Sequence, residues 1–395
     1  MLVTTLEEEL AAAKEGFGLS LSAAYQLITA EGEMLAKLLH AAGNLRDKRS
    51  GKAITYSRKV FIPLTNLCRD SCGYCTFVRR PGDPLVHTMS PEEVLAVAEA
   101  GKAAGCKEAL FSLGDKPELR HKEHRTWLAQ YGYQTTTEYL RDMCRLVLEK
   151  TGLLPHANPG ALSYDDLAML KPYNASMGMM LESVSYRLLK KGQAHHRCPD
   201  KVPAIRLQTL EDAGKLQIPF TTGLLIGIGE TRAERVEALF AIKEIHQRYG
   251  HIQEVIIQNF RVKEDILMHS APEPEIVEMW RLLAVARLVF GNEITIQAPP
   301  NLAPDVYKTY IPAGLNDWGG VSPVTKDYIN PERAWPKITE LRQATAAEGY
   351  ELRERLAVAP CYALEPEKWL PPFVRPIVAN LIDDSGLVKK NREVW

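Results

Sequence analysis

The stretch VFIPLTNLCRDSCGYCTFVRR, Val60 to Arg80, decides how the rest of the chain is read. An apolar run, Val60-Phe61-Ile62-Pro63-Leu64, ends at Thr65-Asn66. Three cysteines follow, Cys68, Cys72 and Cys75, spaced C-x3-C-x2-C. A strand that delivers three thiolates into one short loop is suited to holding metal. A structural zinc site closes with four ligands, and the next cysteine is the distant Cys106. No histidine lies in the loop to complete a catalytic zinc set. The spacing therefore favours an iron–sulfur cluster on three thiolates, with one iron left open for chemistry.

Around this loop the chain alternates. Apolar runs at 60–64, 108–112, 153–158, 176–181, 220–226, 254–258 and 293–297 read as strands. Helical patterns fit between them at 91–104, 137–150, 163–170, 200–213, 231–248 and 274–290. Ser90-Pro91-Glu92-Glu93 is a helix start, with proline in the first turn and a capping-box glutamate. Strands alternating with helices imply right-handed βαβ units and a parallel sheet. This many units point to an α/β fold, a TIM-type full or partial (β/α) barrel, whose active site lies at the C-terminal strand ends.

Residues 1–50 read as a helical N-terminal extension, 51–310 as the barrel, and 311–395 as an irregular C-terminal extension capping it. In the first, Leu6, Leu10 and Ala13 share a helical face, and a second helix is expected over 22–42, stopped by Gly43-Asn44. The basic segment 46–59 reads as a connection, 116–133 as a long loop, and 316–320 as a polar turn. A helix broken near Gly349 is expected over 334–356, followed by a proline-rich tail without long elements.

With 48 basic and 49 acidic residues the net charge is -1, so no field favours nucleic acid or an anionic membrane. The acidic N-terminus lacks signal-peptide character, and no run reaches transmembrane length. A cytoplasmic location is expected. The seven cysteines then read as metal ligands or inert buried thiols rather than disulfides.

The cysteine loop, with Tyr74 before its last cysteine, resembles the radical S-adenosylmethionine (SAM) superfamily. That resemblance implies a [4Fe-4S] cluster on Cys68, Cys72 and Cys75 whose open iron chelates SAM. Reductive cleavage of SAM would yield a 5′-deoxyadenosyl radical that takes hydrogen from a substrate. It also implies SAM contacts from Tyr74, from Gly114 and Asp115 after the second strand, from Glu182 after the fourth, and from Gly227 and Glu230 after the fifth. The G-x-G of Gly227-Ile228-Gly229 lacks the third glycine of a dinucleotide fingerprint and follows the wrong strand for one.

Longer segments resemble the FO synthase family within that superfamily. They are SLGDKPE (112–118), HANPG (156–160), SMGMMLES (176–183), FTTGLLIGIGET (220–231), QAPPNL (297–302) and GLNDWGG (314–320). This resemblance implies formation of 7,8-didemethyl-8-hydroxy-5-deazariboflavin (FO) from 5-amino-5-(4-hydroxybenzyl)-6-(D-ribitylimino)-5,6-dihydrouracil. It further implies a companion radical SAM subunit supplying that substrate and an external one-electron donor of the ferredoxin or flavodoxin type. The companion step itself and a menaquinone-pathway relative stay open as alternatives. A ribityl-bearing substrate needs hydrogen-bonding groups at the barrel rim. His156, Asn158, His196, Gln258, Asn259, Arg261, Asn316 and Asp317 are the candidates. No residue stands out for proton transfer.

Overall fold

The computed structural model describes residues 5–392. Among the described residues nine strands form one sheet: β1 (Ala53–Thr65), β2 (Glu108–Leu113), β3 (Leu154–Asn158), β4 (Ser176–Gly178), β5 (Phe220–Ile226), β6 (Ile252–Asn259), β7 (Thr295–Gln297), β8 (Asp317–Val321) and β9 (Glu351–Glu354). All pair in parallel. β1 pairs with β2 through Lys59–Thr65 and with β8 through Thr55–Arg58, which closes an eight-stranded barrel. β9 stands outside that ring, paired with the start of β1.

The expected βα units are present, and their helices begin as the sequence suggests. At Pro91–Ala103 the Ser90 side chain accepts from Glu93 N while Glu93 answers the Ser90 amide. Strands buried on both faces read as continuous apolar runs. In β5 every residue is buried.

The differences have identifiable causes. Most of the stretch 316–320 belongs to a strand, β8, so the barrel runs past residue 310 into the presumed extension. Its paired glycines suit crowding, not a turn. A Cβ on Gly319 would lie 1.9 Å from Gln297 Nε2, and one on Gly320 2.2 Å from Lys59 Cε. The helix expected over 22–42 is two helices, Leu21–Leu27 and Gly32–Ser50, broken where Arg281 Nε binds Ala30 O at 2.7 Å. Gly43 does not end the second; it lets the helix approach the Pro312 carbonyl. Segment 46–59 is no loose connection, since it ends that helix and makes up half of β1. Segment 116–133 contains a helix, Lys122–Gln130, whose Trp127 packs edge-on against Tyr139. Past the helix Ile338–Ala347 the chain turns at Gly349 and extends into β9.

The C-terminal segment closes the N-terminal end of the barrel. Arg355 enters the lumen and pairs with Glu254 Oε1 at 2.7 Å and Asp317 Oδ2 at 2.6 Å. Ala357 O accepts from Ser176 Oγ (2.6 Å), and Gln253 binds both Ala357 O (3.1 Å) and Ala359 N (2.9 Å). Tyr362, Trp369, Leu370 and Val374 then pack with Leu148 and Leu154 in a second apolar cluster. With one end sealed, a ligand must enter from the C-terminal strand ends. Among the described residues no helix is long and apolar enough to cross a membrane.

Candidate active site

The cysteine loop leaves β1 at the open end and is held from several sides. Gly114 N donates to Thr65 O (3.0 Å), Arg69 N to Asp115 O (3.0 Å) and Gly73 N to Ala194 O (2.8 Å). From outside, Arg120 Nη1 binds Arg69 O at 2.6 Å and Arg80 Nη2 binds Asp70 O at 3.2 Å. Gly114 has no alternative: a Cβ there would stand 1.9 Å from Leu67 O and 2.6 Å from Cys68 Cβ. The β2 turn therefore packs backbone-to-backbone under the loop.

Cys68, Cys72 and Cys75 line one cavity of about 260 Å³, together with Asp70, Tyr74, Asp115 and Glu182. Two backbone amides point at Cys68 Sγ, Asp70 N at 3.3 Å and Asp115 N at 3.2 Å. Burial pushes the Cys68 and Cys75 thiols up. A hydrogen bond from Cys198 is the main influence on Cys72, which is held down. Thiols kept protonated in a buried pocket lose the proton to a bound metal.

The carboxylates around the thiols differ in what they have left to offer. Glu182, in the left-handed region at φ 64°, is bound by Tyr74 OH, His195 Nε2 (3.0 Å) and Lys201 Nζ (2.6 Å). Its burial would raise the carboxyl, but Lys201 and His195 outweigh it and hold the group well below the usual range. Asp115 gives Oδ1 to Lys116 Nζ (2.9 Å) and Oδ2 to Ala161 N (3.0 Å), so both its oxygens brace neighbouring turns. Asp70 receives Asp200 N on Oδ1 at 3.3 Å and has no partner on its buried Oδ2. Burial raises Asp70 to about 6. Asp70, Asp115 and Asp200 gather within 4.8 Å. Lys116 and Arg69 neutralise part of that charge.

Below this cavity the barrel lumen holds a second one of about 170 Å³. The two share Ser112, Asn158, Met180, Gln258, Ile329 and Asn330. The side-chain amides of Asn158, Gln258 and Gln297 line the lumen and have no partner among the described residues. Phe61 and Trp335 form an aromatic wall, stacked at 5.1 Å and 8°. His156 is neutral, since burial lowers it to about 4. Ser176 spends its proton on Ala357 O and therefore accepts from His156 Nδ1 at 2.7 Å. This leaves Nε2 of His156 as an acceptor.

The structure thus gathers Cys68, Cys72, Cys75, Tyr74, Gly114, Asp115, Glu182, Asn158, Gln258, Asn259 and Arg261 around the upper cavity, and His156 below it. It does not bring in the others. Glu230 accepts from Gly227 N and Ile228 N, both at 2.9 Å, and pairs with Arg235 at 2.7 Å, so it closes the β5 turn away from the cavity. Gly227 packs against Pro274 and Phe260. Asp317 begins β8 and Asn316 precedes it, so both lie at the sealed end. Asn316 Oδ1 takes Arg287 Nη2 (2.6 Å) and Ile296 N (2.9 Å), while Asp317 binds Arg355. His196 lies outside the cavities, and its neighbour His195 points inward instead. Asn259 and Arg261 stand at the rim, with Arg261 paired to Glu273 at 2.8 Å. Residues missed in the sequence are Asp70, His195, Cys198, Lys201, Gln297 and Trp335. Asp70 sat in plain view inside the cysteine spacing, where it passed as a spacer.

Comparison with known proteins matches residues 62–242 to the model of the radical SAM superfamily. The 7,8-didemethyl-8-hydroxy-5-deazariboflavin synthase of Methanopyrus kandleri is 48% identical over 336 residues, 85% of this chain and 100% of that protein. The chain belongs to the radical SAM superfamily. Membership implies a [4Fe-4S] cluster and SAM. The FO synthase of Nocardia farcinica is 48% identical over 398 residues, covering 98% of this chain and 46% of that one. The chain thus spans about half the length of the curated FO synthases it matches. Among solved structures, the [FeFe]-hydrogenase maturase HydG of Carboxydothermus hydrogenoformans superposes with a TM-score of 0.71 at 16% identity, covering 96% of this chain and 92% of that one. Methylornithine synthase (PylB) gives a TM-score of 0.69 at 18% identity, covering 88% and 97%. These two likenesses establish the barrel.

Proposed function

We propose that the chain is a radical SAM lyase that forms FO from 5-amino-5-(4-hydroxybenzyl)-6-(D-ribitylimino)-5,6-dihydrouracil with loss of ammonia. The observation that carries this reading is the continuity of the two cavities. A three-thiol loop opens through Ser112, Asn158, Met180 and Gln258 onto a lumen with an aromatic wall and unpartnered amides. That lumen suits a ligand with aromatic rings and a polyhydroxyl chain.

Cys68, Cys72 and Cys75 would hold the cluster, and their cavity fits it, with amides aimed at Cys68 Sγ and a glycine where any Cβ would clash. Bound together, cluster and SAM supply a carbon radical that removes hydrogen. The chain orients the reactants and excludes water and oxygen. Tyr74, Gly114, Asp115 and Glu182 would shape the SAM site. Asp70 Oδ2, buried without a partner, is the free acceptor for an ammonium group. His156, Asn158, Gln258 and Gln297 would hold the substrate's polar edge and ribityl chain, with Asn259 and Arg261 at the entrance. A companion radical SAM subunit would supply the substrate, and a ferredoxin- or flavodoxin-type donor the electron. Open thiolates of this kind require the reducing cytoplasm.

Asp70→Asn is expected to weaken SAM binding by on the order of tenfold or more, the usual worth of a charge-assisted hydrogen bond. Asp115→Asn is expected to affect mainly loop stability. Anaerobic equilibrium dialysis on cluster-loaded protein checks this, and a larger affinity loss for Asp115→Asn would return the ammonium site to that residue. The function is tested by giving loaded enzyme, SAM and reductant two alternative substrates. The hydroxybenzyl dihydrouracil should yield a fluorescent deazaflavin and ammonia. Tyrosine with 5-amino-6-(D-ribitylamino)uracil should yield nothing, and product from that pair would assign the companion step instead.

A further inference from the structure

We propose that Cys198, outside the three-thiol motif, is a positioning residue for the cluster. Its thiol donates a hydrogen bond to the Cys72 thiolate and thereby raises the cluster's reduction potential. The proposal rests on the cluster assignment above and is independent of the substrate.

Cys198 Sγ lies 3.7 Å from Cys72 Sγ and is 3% exposed. The sulfur is itself oriented, because Ser71 N–H donates to it at 3.3 Å. A thiol has one proton, and two acceptors are in reach: Cys72 Sγ at 3.7 Å and His196 O at 3.5 Å. Once Cys72 is an anionic ligand, the charged sulfur is the stronger acceptor. A relay then runs from Ser71 N–H through Cys198 Sγ–H to Cys72 Sγ.

The segment carrying Cys198 is held in place for this. Ala194 O takes Gly73 N from the cysteine loop at 2.8 Å, and His195 Nε2 binds Glu182 at 3.0 Å. Between those anchors and Cys198, Arg197 sits at φ 60°, a left-handed conformation that an arginine adopts at a cost. The turn there, closed by Cys198 N on His195 O at 3.2 Å, brings the buried thiol to Cys72. Cys198 is not a fourth ligand, since thiolates on separate irons of a cubane do not stand in thiol–sulfur hydrogen-bond contact. Cys106, Cys144 and Cys361 line neither cavity.

Reduction adds negative charge that the ligand sulfurs share. A donor on one of them favours the reduced state, so its removal lowers the potential. The test compares wild type, Cys198→Ala and Cys198→Ser, loaded anaerobically to equal iron content and free of SAM. The readouts are EPR-monitored redox titration and ENDOR detection of an exchangeable proton coupled to the reduced cluster. Cys198→Ala should titrate at a lower potential and lose that proton. Cys198→Ser, whose hydroxyl donates, should retain the proton and lie near wild type. An alanine variant with unchanged potential overturns the proposal, as does an equal shift in both variants, which would mark sulfur packing rather than donation. If the alanine variant does not fold, the ENDOR signals of wild type and the serine variant decide alone. Absence of a [4Fe-4S] spectrum in wild type would overturn the cluster assignment itself, and is thus distinguishable from failure at Cys198.

Discussion

Cys75→Ala protein is expected to purify folded and without the brown absorbance of a [4Fe-4S] cluster, and to release no 5′-deoxyadenosine above background from SAM and dithionite. Of the three ligands this one stands clear of Cys198 and of the Asp115 turn, its sulfur meeting only the amides of Phe77 and Val78 just after it in the chain. Cys68 Sγ also takes two backbone amides, and Cys72 Sγ touches Cys198, so changing either disturbs a neighbour as well. Two thiolates leave two irons of the cubane without protein ligands. The measurement is iron content and visible absorbance after anaerobic reconstitution, with thermal unfolding of the metal-free proteins as the control for folding. A brown, SAM-cleaving Cys75→Ala enzyme would remove the three-thiolate site.

The second large effect lies at the opposite end of the barrel. Arg355 is the buried cation for both Glu254 and Asp317. Replacing it by methionine leaves two carboxylates buried without it, a change that typically costs about 3–5 kcal/mol. The loss should depend on pH. Burial, only partly offset by Arg355 and reinforced by Asp317, raises Glu254 to about 7. A carboxyl raised above its unfolded value stabilises the fold while protonated, and that contribution disappears as pH rises through the folded value. Without Arg355 the folded value rises further, so the stability deficit should widen as pH is taken from below about 7 to above it. Urea unfolding of wild type and variant across that range measures it. A variant as stable as wild type at every pH would mean that the plug does not hold the sealed end.

The barrel was legible because most of its strands are largely buried and show as apolar runs between helices. β8 escaped this reading: its Asp317-Trp318-Gly319-Gly320 carries a charge for Arg355 and glycines for close contact, and so looks like a turn. That one misreading also misplaced Asn316 and Asp317. At a strand start they face the sealed end, whereas Asn158 and Gln258 near strand ends face the cavity. The metal ligands were legible from local spacing alone. The partners from the 194–201 segment were not, because neighbouring His195 and His196 differ only in which way a loop turns them. Lys201 and Cys198 reach the thiols through a tertiary contact, Gly73 N to Ala194 O, that leaves no mark in sequence. Asp70 needed coordinates for a different reason: what distinguishes it from Asp115 is the absence of a partner on Oδ2.

The central claim is that a substrate held in the lumen gives up hydrogen to a radical made at the three-thiol loop. It is tested most directly by anaerobic turnover with substrate deuterated on the hydroxybenzyl group, followed by mass spectrometry of the 5′-deoxyadenosine. The expected result is deuterium in 5′-deoxyadenosine, appearing together with fluorescent FO. Unlabelled 5′-deoxyadenosine with no deazaflavin would contradict it.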